Sequence, residues 1–198
     1  IFSGGGTLSS TSQTATPATV TYTPAANFSG TVTLQLTSNF GSGCTAAVVN
    51  RTINVTVAPT ANAGGPTNVC QSATPSAFVL SGSTVGGSAT TGAWSIISGG
   101  GTLSSTAQTA TPSSVTYTPA ANFTGTVTLR LTSNFGAGCS AATSNRTINV
   151  TALPTANAGA DDAVCQSSTP NPITLSGASV GSGATTGAWS IISGGGSL

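Results

Sequence analysis

The chain contains no histidine, lysine, glutamate or methionine. Its charged side chains are Arg51, Arg130, Arg146, Asp161 and Asp162, 3% of 198 residues. General acid–base catalysis needs a group that titrates near neutrality, most often a histidine or a pair of carboxylates. The one acidic pair, Asp161–Asp162, has no counterpart elsewhere, so an enzyme is not expected and no catalytic residue is assigned. Three arginines are too few to neutralise a phosphate backbone, which argues against a nucleic-acid partner. No apolar run approaches the ~18 residues that a membrane helix needs, so no membrane insertion is expected. There is no CxxC motif and no Cys/His cluster, so neither a metal nor another cofactor is expected. Disorder does not fit either. Net charge is only +1, and apolar residues recur in regular patterns.

What is abundant is repetition. Glycine triplets begin at Gly4, Gly99 and Gly194, 95 residues apart. The same offset relates Cys44 to Cys139, Cys70 to Cys165, Trp94 to Trp189 and Tyr22 to Tyr117. Such a period is too long for a solenoid rung and suits a self-sufficient domain. Residues 1–59 then read as the C-terminal part of one repeat, 60–154 as a complete repeat, and 155–198 as the N-terminal part of the next. Both ends fall inside the repeated phrase, which implies a window on a longer array. The alternative is that separate copies complete each other's split domains by strand exchange.

Within the complete repeat, apolar residues alternate over short segments. In "GTVTLRLTS" (125–133), Val127, Leu129 and Leu131 share one face, and Thr126, Thr128 and Arg130 the other. "FVLSGS" (78–83), "GAWSIIS" (92–98), "SVTYTP" (114–119) and "RTINVTA" (146–152) follow the same period. Period-two alternation with β-branched residues and Gly/Pro/Asn punctuation predicts half-buried antiparallel strands. No helix is predicted. About seven strands per repeat, with a tryptophan on the third, predict an all-β chain of tandem immunoglobulin-like sandwiches. Trp94, Trp189, Tyr22, Tyr117, Leu129 and Leu131 are the expected core.

The stretch "VTYTPAANFTGTVTLRLTSN" (115–134) resembles the corresponding stretch of bacterial Ig-like and cadherin-like repeats. "PTANAG" followed by a cysteine, then "LSG", "GAWSIISGGGTLS" and "GC", resembles PKD-like, SprB-type repeats. Such repeats occur in very large surface adhesins of gliding Bacteroidota. The resemblance implies a secreted, structural stalk or filament on the bacterial cell surface. Its expected partners are neighbouring repeats, other copies of the chain and surface glycans. Calcium-braced relatives carry acidic ligands at their junctions, and the first junction here, 60–68, has none.

Cysteine without metal spacing points to disulfides and an oxidising compartment. In an Ig-like sandwich the strands bearing Cys70 and Cys139 can run side by side. An intradomain Cys70–Cys139 bond is therefore favoured, leaving Cys44 and Cys165 to partners outside the chain. It would close a loop of roughly 70 residues, worth about 4 kcal/mol in the chain-entropy account. The rival pairing, Cys44–Cys70 with Cys139–Cys165, would brace neighbouring domains.

The remaining motifs have plain readings. A phosphate loop needs a helix after its glycines and usually a lysine, so the triplets read as turns that exploit positive φ. The tryptophans read as core rather than as sugar platforms. Thr-x-Thr triplets read as the wet faces of strands rather than as an ice-binding surface. Asp161–Asp162 reads as a solvated turn rather than a calcium site. Asn27, Asn54, Asn122 and Asn149 open N-x-Ser/Thr sequences, as do Asn50 and Asn145, and are candidate glycosylation acceptors.

Overall fold

The computed structural model describes residues 1–136 and 138–197. All of its regular structure is extended apart from two single 3-10 turns, Pro17–Thr19 and Pro112–Ser114. Before residue 60 lie β1 (Thr7–Leu8), β2 (Tyr22–Thr23), β3 (Gly30–Thr37) and β4 (Val48–Val55). The middle segment holds β5 (Thr60–Asn62), β6 (Thr67–Cys70), β7 (Phe78–Val79), β8 (Thr84–Gly86) and β9 (Gly92–Ser98). It continues with β10 (Thr102–Leu103), β11 (Thr116–Thr118), β12 (Gly125–Ser133) and β13 (Thr143–Thr151). The last segment holds β14 (Thr155–Asn157) and β15 (Ser179–Gly181).

The middle segment forms two facing layers. One is a four-stranded sheet in the order β6-β13-β12-β9, and the other is a three-stranded sheet in the order β10-β11-β7. A further pair, β5 with β8, continues the second layer beyond a break at Gly82, whose φ of +77° suits glycine. Of the expected strand over 78–83 only Phe78–Val79 is regular strand, and β8 begins just beyond it at Thr84. Most pairs are antiparallel, as alternation predicts. The exception is β6, which runs parallel to β13 in the register Ile148↔Thr67 to Thr151↔Cys70.

Alternation explains the core. Val127, Leu129 and Leu131 of β12 and Ile148 and Val150 of β13 point inward and are buried. They meet Trp94 of β9 from their own sheet, and Leu80, Val115 and Tyr117 from the facing layer. Phe78 meets the Tyr117 ring edge-on, with centroids 5.8 Å apart. Each fully buried side chain of this size contributes about 1.5–3 kcal/mol. The outward positions carry polar cross-strand pairs. Arg130 Nε donates to Asn145 Oδ1 (3.3 Å), and Asn149 Nδ2 to Asn68 Oδ1 (3.0 Å).

The flanking segments repeat these elements at the 95-residue offset. β1 corresponds to β10, β3 to β12, β4 to β13, β5 to β14 and β8 to β15. β3 and β4 pair from Gly30↔Val55 to Thr37↔Val48, as β12 and β13 do. The last segment has no strand at the positions of β6, β7 and β9, and neither flank encloses a core like that of the middle segment.

Candidate functional site

The glycine triplet closes over a tyrosine. Tyr117 Oη donates to the carbonyl of Gly100, and in the first segment Tyr22 Oη donates to Gly5. A Cβ on Gly101 (φ +109°) would lie 2.4 Å from the Thr118 carbonyl oxygen and 2.6 Å from Tyr117 Oη. The backbone therefore comes too near the tyrosine for any side chain. The triplet joins β9 to β10, with no helix after it, so it does not have the geometry of a phosphate cradle.

Trp94 is 1% exposed, and its indole N–H donates to the Pro112 carbonyl (3.0 Å). Leu129, Leu131 and Tyr117 are buried, and Tyr22 is half-buried. Trp189 departs from the expected core placement, being 48% exposed. Trp94 is covered by β12 and by the turn at Pro112, and nothing equivalent lies over Trp189 among the described residues. An open depression remains there, lined by Ala156, Val180, Gly187 and Trp189. In the middle segment the same place is filled by Leu131, whose Cδ1 would be 2.9 Å from a Cβ on Gly92.

Burial of Arg146 went unread in the sequence. The residue is 7% exposed and lies on the inward face of β13, in phase with Ile148 and Val150. Its Nη1 donates to the Ser81 carbonyl (2.8 Å) and to the Ala63 carbonyl (3.5 Å), and its Nη2 donates to Thr67 Oγ1 (2.8 Å). Burial pushes its guanidinium below the ordinary arginine range. The side chain ties together the break between β7 and β8 and the bend between β5 and β6. The signal was the alternation Arg146-Ile148-Val150, which puts the arginine on the apolar face.

The glycosylation candidates divide by geometry. Asn27 (φ +60°) and Asn122 (φ +57°) occupy exposed left-handed turns. Asn54 is exposed but accepts from Thr31 Oγ1 (3.0 Å). Asn149 lies within a sheet, held by Asn68 and Thr126.

The cysteines correct the favoured pairing. All four are free thiols in the structure. Cys70 sits at the end of β6, level with Thr151 at the close of β13. Cys139 sits in the loop that precedes Thr143 at the start of β13. The nine residues of β13 separate them, about 26 Å at the usual rise of a strand. The two strands do run side by side, but in parallel, which carries the cysteines to opposite ends. A disulfide needs Cα atoms within roughly 7 Å, so this fold gives Cys70–Cys139 no route. Cys44 is exposed in the turn before β4, and Cys165 is exposed ahead of β15.

The segment between β4 and β5, Thr56–Pro59, is gripped from two sides. A Cβ on Gly87 would lie 2.0 Å from the Ala58 carbonyl oxygen, and Pro59 is buried. From the loop between β12 and β13, Cys139 Sγ lies 3.2 Å from Thr56 Oγ1 and 4.0 Å from the Val57 carbonyl. Among the described residues no three His, Cys, Asp or Glu side chains gather into a possible metal site. No helix there is long and apolar enough to cross a membrane. No protein-family model matches this chain, and no curated protein matches it significantly.

Proposed function

We propose that the chain is a segment of a tandem array of immunoglobulin-like, PKD-like β-sandwiches that serves as an extracellular stalk or filament at a bacterial cell surface. The role is structural, and the partners are the neighbouring repeats. The observation that carries the reading is the recurrence of strands at one fixed offset, joined by a four-residue linker that the next segment grips. The sheet order β6-β13-β12-β9 opposite β10-β11-β7, with β6 parallel to β13, supports the immunoglobulin-like assignment. Polar outer rows and a near-absence of charge suit a shaft that neither repels its neighbours nor responds to salt. A direct test is small-angle scattering on the chain and on in-register extensions of it. The maximum dimension should grow linearly, by about 30–40 Å per added repeat given strand lengths of nine residues. A compact particle whose dimension barely grows would sink the stalk reading.

A second reading is favoured by one observation. Leu36, Val49, Ile173, Leu175 and Trp189 are exposed on the flanks, and each corresponds to an inward position of the middle repeat or its neighbour. Residues 155–197 of one copy would complete residues 1–59 of the next, making the chain a filament subunit joined by strand exchange. Sedimentation separates the readings. Concentration-dependent head-to-tail polymers would support exchange, and a monomer at all concentrations would discard it.

A further inference from the structure

We infer that successive repeats are linked by a disulfide across each junction, between the cysteine that ends the second strand of one repeat and the cysteine in the β12–β13 type of loop of the next. This rests on the tandem-repeat reading. Cys139 Sγ touches Thr56 at the exit of β4. Thr56 stands one 95-residue period before Thr151, and Thr151 is the register partner of Cys70. Register partners on adjacent strands project from the same face, about 4.8 Å apart. Thr151 and Cys70 are both exposed on that face. A repeat completed around β4 therefore holds its Cys70-class cysteine beside Thr56, on the side that Cys139 already contacts. With Cys139 Sγ 3.2 Å from Thr56 Oγ1, both cysteines would then flank the same threonine side chain and become each other's neighbours.

Inside one repeat the two cysteine classes do not meet, since they stand at opposite ends of β13. The loop cysteine closes the same turn in both copies. The Cys139 amide donates to the Gly136 carbonyl (3.2 Å), and the Cys44 amide to the Gly41 carbonyl (3.1 Å). No acidic residue lies between Thr56 and Asn68 to recruit a bracing cation. Here a covalent bond would take that place and carry load past the four-residue linker. Bond formation is thiol–disulfide exchange with a small disulfide oxidant such as oxidised glutathione. Two protein thiols give up two protons and two electrons and become one S–S bond, and the oxidant becomes two thiols.

Leu198 corresponds to Leu103 and Leu8, so residues 1–198 followed directly by 9–198 continue the phrase in register. This tandem, refolded with oxidised and reduced glutathione, is mapped by non-reducing peptide mass spectrometry. Two bonds are expected: Cys70 of the first unit with Cys44 of the second, and Cys165 of the first with Cys139 of the second. The other four thiols should remain free, and the intact mass should fall by about 4 Da. A Cys70–Cys139 bond within one unit, or free thiols throughout a folded tandem, would overturn the inference. Burial of the first unit's Trp189, read by fluorescence, reports whether the joined repeat has folded. Buried tryptophan with free thiols would leave the tandem reading standing while the staple falls. A second variant needs no tandem: Thr56→Cys in the 198-residue chain should capture Cys139 under the same redox buffer. Failure to cross-link would remove the junction contact on which the inference depends.

Discussion

Trp94 and Trp189 sit in the same heptapeptide, "GAWSIIS", yet one is 1% exposed and the other 48%. Leu131 is fully buried, and its counterpart Leu36 is 58% exposed. Identical or nearly identical local sequence thus has opposite fates in the middle segment and in the flanks. The middle segment has both layers, so each inward side chain finds an opposing face. The flanks keep some of their strand pairs, but 187–193, the counterpart of β9, finds no partner strand and is not a strand itself. A hairpin can form its own hydrogen bonds, whereas a sandwich core belongs jointly to residues far apart in the chain.

The largest test of that contrast is truncation of the two tryptophans. Trp94→Ala should cost about 3–5 kcal/mol in denaturant unfolding, because it empties a packed centre and orphans the Pro112 carbonyl. Trp189→Ala should cost less than about 1 kcal/mol, since little area is removed from a buried state. Equal losses would mean that Trp189 is covered in solution, as the strand-exchange reading requires.

The arginines give the next step down. Arg146→Ala should destabilise by about 2–4 kcal/mol, because the Ser81 and Ala63 carbonyls lose their donor. Arg51→Ala, its exposed counterpart, should stay within about 0.5 kcal/mol. Chemical denaturation of both variants decides the matter, and an Arg146 variant as stable as the parent would remove the clamp assigned to it.

Glycine substitutions sharpen the comparison further. Gly101→Ala meets both a positive φ and the Thr118 carbonyl, for a loss of about 1–3 kcal/mol. Gly196→Ala has a similar φ of +127° but nothing within 4 Å, so only the backbone term remains, about 1 kcal/mol. Melting temperatures of the pair should rank in that order.

The smallest effect is a pH dependence. Burial raises the Tyr117 phenol above its ordinary value of 10.0, while the neutral form donates to Gly100. A raised folded-state value means that the stabilisation is complete below pH 10 and is lost as pH rises past it. Stability should therefore decline as pH rises above 10.0, and Tyr117→Phe should flatten that decline. An unchanged slope in the variant would assign it to other groups.

Much of the strand pattern was legible beforehand. The segments 92–98 and 125–133 coincide with β9 and β12, because a period-two pattern over seven to nine residues favours a strand. The break of 78–83 was less legible, since a left-handed Gly82 is a tertiary choice among several glycines nearby. The Arg146-Ile148-Val150 phase was present, but arginine is so seldom buried that the phase alone carries little weight. The cysteine pairing failed on direction. Alternation favours antiparallel pairing in general, but it does not mark the one strand, β6, that runs parallel to its neighbour.

By itself, then, the sequence determined the all-β character, the faces of the strands, the repeat spacing and the poverty of titratable groups, because these follow from period, composition and steric limits on each residue. Tertiary structure alone decided that β6 runs parallel to β13, that Arg146 is enclosed, that Trp94 is covered while Trp189 is bare, and that Cys139 touches the preceding linker. Those depend on contacts between residues tens of positions apart, and local preference carries no record of which distant strand will arrive, or from which end.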